Sequence, residues 1–368
     1  MSSRPDRESI AQVEMPRIQI LNSFNLSRGQ ILNHNLTAFL KNASARCLTF
    51  AMGATIGVAL SAASLTAAAH TLEQSANPDA MAPDTTSAAP MLAAAATVAA
   101  ALPRTSPGCG RTGHHSTGVF KWTVIDGARR MRSFLVQVPA TYDTARAYPL
   151  SFVFHGAGGS SAQSYSWGLQ NVTGASENGI FIFPDGINFQ NYGIGWDDTK
   201  TGYDMVFFDN MAKTVETYFC VDTARVFVAG FSWGADFVTA LVCNRGNAIR
   251  AAASNSATDE FNVSTNYLTY QNMPCPTTVH PAVRFVHAVG GDSMYPAPYF
   301  ANTSKLLRLF NTCGTTSTAV ASSTTVMTCA SYNGCSSQLI ECSFNTSIGH
   351  NLPPNWAKDT WGYFSTFK

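Results

Sequence analysis

Arg225-Val226-Phe227-Val228-Ala229-Gly230-Phe231-Ser232-Trp233-Gly234 is the stretch on which the reading of this chain turns. Val226 to Ala229 is a short apolar run suited to a buried strand, and Ala235 to Cys243 reads as a helix. A strand that reverses directly into a helix needs a turn so tight that side chains on either flank would collide with their neighbours, hence glycine at 230 and 234. Ser232 at the apex then projects its hydroxyl above the sheet, beside a helix N-terminus that favours negative charge. G-x-S-x-G alone is common and suits an ordinary turn; strand before and helix after make it a nucleophile elbow.

Working outward, Phe120 to Ile125 and Arg132 to Val138 alternate as strands around the turn dipeptide Asp126-Gly127. Leu150 to Phe154, Ile180 to Phe183 and Val283 to Val289 are short apolar runs of the kind buried in parallel sheets. Phe208, Met211, Ala212, Val215 and Phe219 recur at helical spacing, so a helix is expected over Asp204 to Tyr218, with Asp204 placed to cap it. Strands alternating with helices predict an α/β domain, a mainly parallel central sheet covered on both faces in the manner of an α/β-hydrolase.

A serine hydroxyl is a weak nucleophile at neutral pH and needs a base oriented by a carboxylate. In this fold the partners follow in the order acid, then histidine. Downstream of Ser232 stand His280, His287 and His350; only His350 lies in a loop after the last expected strand, Gln338 to Ser343. Asp292 follows the strand Val283 to Val289 and is the favoured acid, with Asp259 and Glu260 as rivals after an earlier strand. Acyl transfer also needs oxyanion donors. The expected pair is the backbone N–H of Trp233 and that of Ala157, in the loop His155-Gly156-Ala157-Gly158-Gly159-Ser160. No Lys-Ser/Thr follows those glycines, so a phosphate cradle is disfavoured, and His155 reads as a structural hydrogen-bonder. Trp167, Tyr192 and Trp196, with Tyr165 and Trp233, fall in loops expected at the mouth; substrate contact and simple packing both remain open for them.

The net charge of +1 gives no basic stripe, so nucleic acid is an unpromising partner. Residues 48–69 carry no charge, follow Lys41 and Arg46 and end in Ala67-Ala68-Ala69, which reads as a cleaved secretory signal rather than a retained membrane span. The expected organisation is therefore a leader over 1–69, an Ala/Pro/Ser/Thr-rich disordered linker over 70–107 and a catalytic domain over 108–368. Beyond Cys47 lie Cys109, Cys220, Cys243, Cys275, Cys313, Cys329, Cys335 and Cys342, an even set without C-x-x-C spacing, which favours disulfides in an exported protein over a metal site. A secreted monomer without metal or cofactor is expected.

His155-Gly156-Ala157-Gly158-Gly159, the run Val221-Asp222-Thr223-Ala224-Arg225 leading into the elbow, and Gly349-His350 before Pro353-Pro354 together resemble the secreted feruloyl esterase and polyhydroxybutyrate depolymerase group. The resemblance spans Cys109 to the end. It implies ester hydrolysis through an acyl-enzyme with Ser232, Asp292 and His350 as the triad, acting on hydroxycinnamoyl esters of plant cell-wall polysaccharide. A hydroxyalkanoate polyester or acetylated xylan is the alternative substrate, and a noncatalytic polysaccharide-binding protein the alternative class. It also implies a Cys220–Cys243 disulfide bracketing the elbow. The sequence departs from the group at Ala235-Asp236, where an apolar pair such as Gly-Met is usual, and in an acid loop one residue longer, from His287 to Asp292.

Overall fold

The computed structural model describes residues 104–111, 117–189, 193–199, 202–258, 279–322 and 326–368. The expected leader, most of the expected linker, Tyr192 and the rival acids Asp259 and Glu260 lie outside the described residues.

In chain order the elements are β1 (Gly118–Ile125), β2 (Met131–Val138), β3 (Tyr148–Phe154), α1 (Ser161–Ser166), β4 (Ile180–Pro184), β5 (Ile187–Phe189), β6 (Gly193–Gly195) and α2 (Tyr203–Tyr218). There follow β7 (Val221–Phe231), α3 (Trp233–Arg245), β8 (Ala251–Asn255), β9 (Ala282–Ala288), α4 (Ala297–Phe310), β10 (Ser317–Val320), β11 (Met327–Tyr332), β12 (Leu339–Phe344) and α5 (Trp356–Phe364). Ten strands form one sheet in the order β1-β2-β4-β3-β7-β8-β9-β12-β11-β10. The six from β4 to β12 are parallel, and antiparallel strands close both edges. Every residue of β3, β4 and β8 is buried, as parallel strands covered on both faces require.

Apolar clusters sit on both faces. One gathers Phe152, Phe154, Phe208, Met211, Phe237 and Leu241 beneath α2 and α3. The other packs Val153, Phe181, Phe227 and Ala253 against Trp361 and Phe364 of α5, with Phe227 and Phe364 stacked at 4.6 Å. Among the described residues no helix is long and apolar enough to cross a membrane.

Three local readings change. Asp204 does not cap α2: Gly202 holds that position, and the Asp204 carboxylate is buried, accepting from Arg132 Nη1 (2.6 Å) and Asp197 N (2.7 Å). A fixed guanidinium outcompetes the helix amides for it. Arg104 to Gly108, at the expected end of the linker, lie against the domain: Thr105 bridges Asp222, Ser106 N–H donates to Val221 O and Gly108 N–H to Glu216 O. That pairing overturns the Cys220–Cys243 disulfide. It carries Cys109 to Cys220, and those two are bonded with Cα atoms 4.0 Å apart, while Cys243 is disulfide-bonded elsewhere. Cys313–Cys335 and Cys329–Cys342 staple the far edge of the sheet.

Candidate active site

The elbow takes its shape from close approach. A Cβ on Gly230 would lie 2.3 Å from Gly234 O, and one on Gly234 would lie 2.3 Å from Phe154 O and 2.5 Å from His155 O. Ser232 itself sits at φ 55°, ψ −127°, a conformation disfavoured for a residue with a side chain, held by its N–H on Asn255 O (2.9 Å). Backbone strain maintained by surrounding structure is a mark of functional sites. Ser232 also accepts the first helical hydrogen bonds, from Ala235 and Asp236 N–H, which fixes α3 to the turn.

His350 Nε2 lies 2.8 Å from Ser232 Oγ, and His350 Nδ1 lies 2.6 Å from Asp292 Oδ2. An ionised carboxylate only accepts, so the proton belongs on Nδ1; Nε2 is then the acceptor for the serine hydroxyl. Asp292 is itself held: its side chain is fully buried, Oδ1 accepts the N–H groups of Met294 and Tyr295, each at 2.8 Å, and its own N–H donates to Tyr295 O. Gly290 and Gly291, with φ values of 74° and 98°, make the turn that leads into Asp292. His350 is steadied by its backbone N–H on Ser293 Oγ (3.0 Å), by Phe231 beside the ring at 4.8 Å and by Tyr295 edge-on at 5.4 Å. Ser293 and Tyr295 carry no motif and went unread in the sequence; adjacency to Asp292 was their only signal.

The chain of bonds suits proton transfer from Ser232 to His350, with the resulting imidazolium stabilised by Asp292. Trp233 N–H belongs to the first residue of α3, at the positive end of that helix. Gly156 packs beside Ser232, where a Cβ would stand 3.2 Å from Ser232 Cβ, and Ala157 is the exposed residue after it. Ala157 N–H donates to no acceptor among the described residues.

The β5–β6 hairpin packs against Gly158 and Trp233. Ile194 O accepts Gly158 N–H at 2.8 Å, and Phe189 lies 5.5 Å from the Trp233 ring, which fills the space that a side chain on Gly195 would need. Phe189 is a further candidate contact that the reading of the aromatics passed over. Trp196 is corrected from a substrate residue to a strut: it is 1% exposed, stacks on Phe237 and donates Nε1–H to His155 O (2.8 Å). A ring sealed beneath the loop has no face for a ligand. Trp167 is half-buried, edge-on to Phe231 at 6.1 Å and to Trp356 at 5.6 Å. Among the described residues no group of three or more His, Cys, Asp or Glu is arranged to hold a metal ion.

A mainly parallel sheet with this elbow and the acid and histidine loops at the same strand ends defines the α/β-hydrolase fold. In agreement, an acetyl xylan esterase from Aspergillus awamori superposes with a TM-score of 0.51 at 17% identity, covering 67% of this chain and 98% of that one. The chain is similar in sequence to feruloyl esterase D of Neurospora crassa, 33% identical over 174 residues, and to feruloyl esterase C of Emericella nidulans, 34% identical over 156 residues. Those matches cover 44% and 40% of this chain and 57% and 52% of the relatives, so the chain spans about half the length of the curated relatives it matches. No family model matches the chain.

Proposed function

We propose that the chain is a secreted serine esterase that hydrolyses hydroxycinnamoyl esters of plant cell-wall polysaccharide. The observation carrying this reading is the hydrogen-bonded series Ser232–His350–Asp292 in a chain that is 33% identical to a feruloyl esterase over 174 residues. His350 takes the Ser232 proton as Oγ attacks the ester carbonyl, and the N–H groups of Trp233 and Ala157 receive the oxyanion. His350 then protonates the departing sugar oxygen. Water, deprotonated by the same imidazole, cleaves the acyl-enzyme and frees the acid. All these groups come from one chain, consistent with a working monomer, and the disulfides suit an oxidising extracellular medium. Trp167 and Phe189 flank the site as candidate walls for a planar acyl group, and the expected leader would direct export.

Turnover of methyl ferulate, acetylated xylan and short polyhydroxybutyrate films, each with a Ser232→Ala control, tests the proposal. Hydrolysis of methyl ferulate that disappears in the control is expected. Activity confined to the polyester or to acetyl groups would replace the proposed substrate, and equal turnover by wild type and Ser232→Ala would remove the esterase reading altogether.

A further inference from the structure

Building on Ala157 N–H as an oxyanion donor, we infer that His155 is a positioning residue that holds the Gly156–Ala157 peptide with this N–H turned towards the nucleophile. The two atoms at issue belong to one peptide unit. In a trans peptide the C=O of Gly156 and the N–H of Ala157 point in opposite directions, so whatever fixes the carbonyl aims the donor. His155 Nδ1 lies 2.8 Å from Gly156 O, and Gly159 N–H reaches the same oxygen at 3.1 Å. The carbonyl is thereby drawn back under the loop, leaving the N–H on its opposite side.

The tautomer follows from the other ring nitrogen. Gly186 N–H donates to His155 Nε2 at 2.9 Å, so Nε2 carries no proton and Nδ1–H is the donor to Gly156 O. A charged imidazolium would set two N–H groups against each other at Nε2. Burial of the ring depresses its pKa and keeps it neutral. The slot is cut to the imidazole: a Cβ on Gly159 would stand 2.8 Å from His155 Nδ1, and one on Gly186 would stand 2.9 Å from Cε1. Trp196 Nε1–H holds the His155 carbonyl from below. With both nitrogens engaged by backbone and no exposed surface, His155 touches no substrate; it acts through the peptide it orients.

The test uses His155→Asn and His155→Asp, which share a shape but place a donor or an acceptor opposite Gly156 O. At pH 8, where the aspartate is ionised, kcat on methyl ferulate should be about a hundredfold lower for Asp than for Asn, the usual size of one lost oxyanion donor, with KM changed less than about threefold. The gap should narrow as pH falls and a protonated carboxyl regains the donor. Affinity for an arylboronic acid, which forms a tetrahedral adduct on the serine, should follow kcat. Equal kcat for the pair at every pH, or a loss seen only in KM, overturns the inference. Should His155→Asp not fold, His155→Leu takes its place against Asn, with the same hundredfold expectation and the same overturning result. Ser232→Ala run in parallel separates the two failures: an inactive Ser232→Ala with equal Asn and Asp variants rejects only the role of His155, whereas an active Ser232→Ala rejects the esterase itself.

Discussion

His350 Nε2 lies 2.8 Å from Ser232 Oγ across 118 positions of sequence. The two meet because β7 and β12 run parallel with only β8 and β9 between them, so the elbow after one and the loop after the other open at the same end of the sheet.

Asp292→Asn should preserve the fold and abolish most of the turnover. An amide oxygen can still accept from Met294 and Tyr295 N–H, but its NH2 would face Nδ1 and force the wrong imidazole tautomer. A kcat loss of about 10⁴-fold with a thermal midpoint close to wild type is expected; steady-state kinetics beside a melting curve check it.

Gly234→Ala should fail for steric reasons. Its Cβ would meet backbone oxygens at 2.3 and 2.5 Å, which no rotamer change relieves, so destabilisation by more than about 3 kcal/mol is expected. Gly362→Ala in α5 is the contrast, since its Cβ meets nothing within 4 Å and alanine favours a helix by about 1 kcal/mol. Urea unfolding of both variants measures the difference.

The double change Cys109→Ser with Cys220→Ser removes a bridge between residues 111 apart in sequence. A loop that long restricts the unfolded chain strongly, and a loss of about 5 kcal/mol is expected on the chain-entropy estimate. Chemical denaturation gives the number. A loss under about 1 kcal/mol would mean that the backbone pairing of Thr105 with Asp222 holds the segment unaided.

Glu341 makes a pH-dependent contribution. Burial opposes its charge, but donors from His287, Ser304 and Tyr332 outweigh burial and bring its pKa from 4.5 to about 2. A carboxyl depressed in the folded state stabilises above its unfolded value, and that contribution is lost as pH falls through the folded one. Wild type should therefore exceed Glu341→Gln by on the order of 2 kcal/mol near neutrality, with the advantage fading between about pH 4.5 and 2. Thermal midpoints across that range give the sign.

The elbow was legible in sequence because its constraint is local. Glycines at 230 and 234, a strand before and a helix after belong to one continuous segment, and the steric demand on each glycine comes from backbone within or directly beneath the turn. The order of elements along the chain likewise shows in the short-range alternation of β and α, which restricted the candidate acid and base to loops after later strands. His350 and Asp292 were found by that route, and the structure brings both to Ser232.

What only tertiary structure decided is whatever depends on distant segments meeting. Cys109 finds Cys220 because residues 104 to 108 lie along the start of β7, a pairing with no signature in a Pro- and Ser-rich stretch. An aromatic in a loop near the mouth can face substrate or lie sealed beneath the loop. Trp196 is sealed, and its Nε1–H bond to His155 O joins residues 41 apart. The sequence by itself determined that Ser232 stands on an elbow. The hydrogen bonds through which distant loops hold His350, Asp292 and the Gly156–Ala157 peptide around it were decided by the fold.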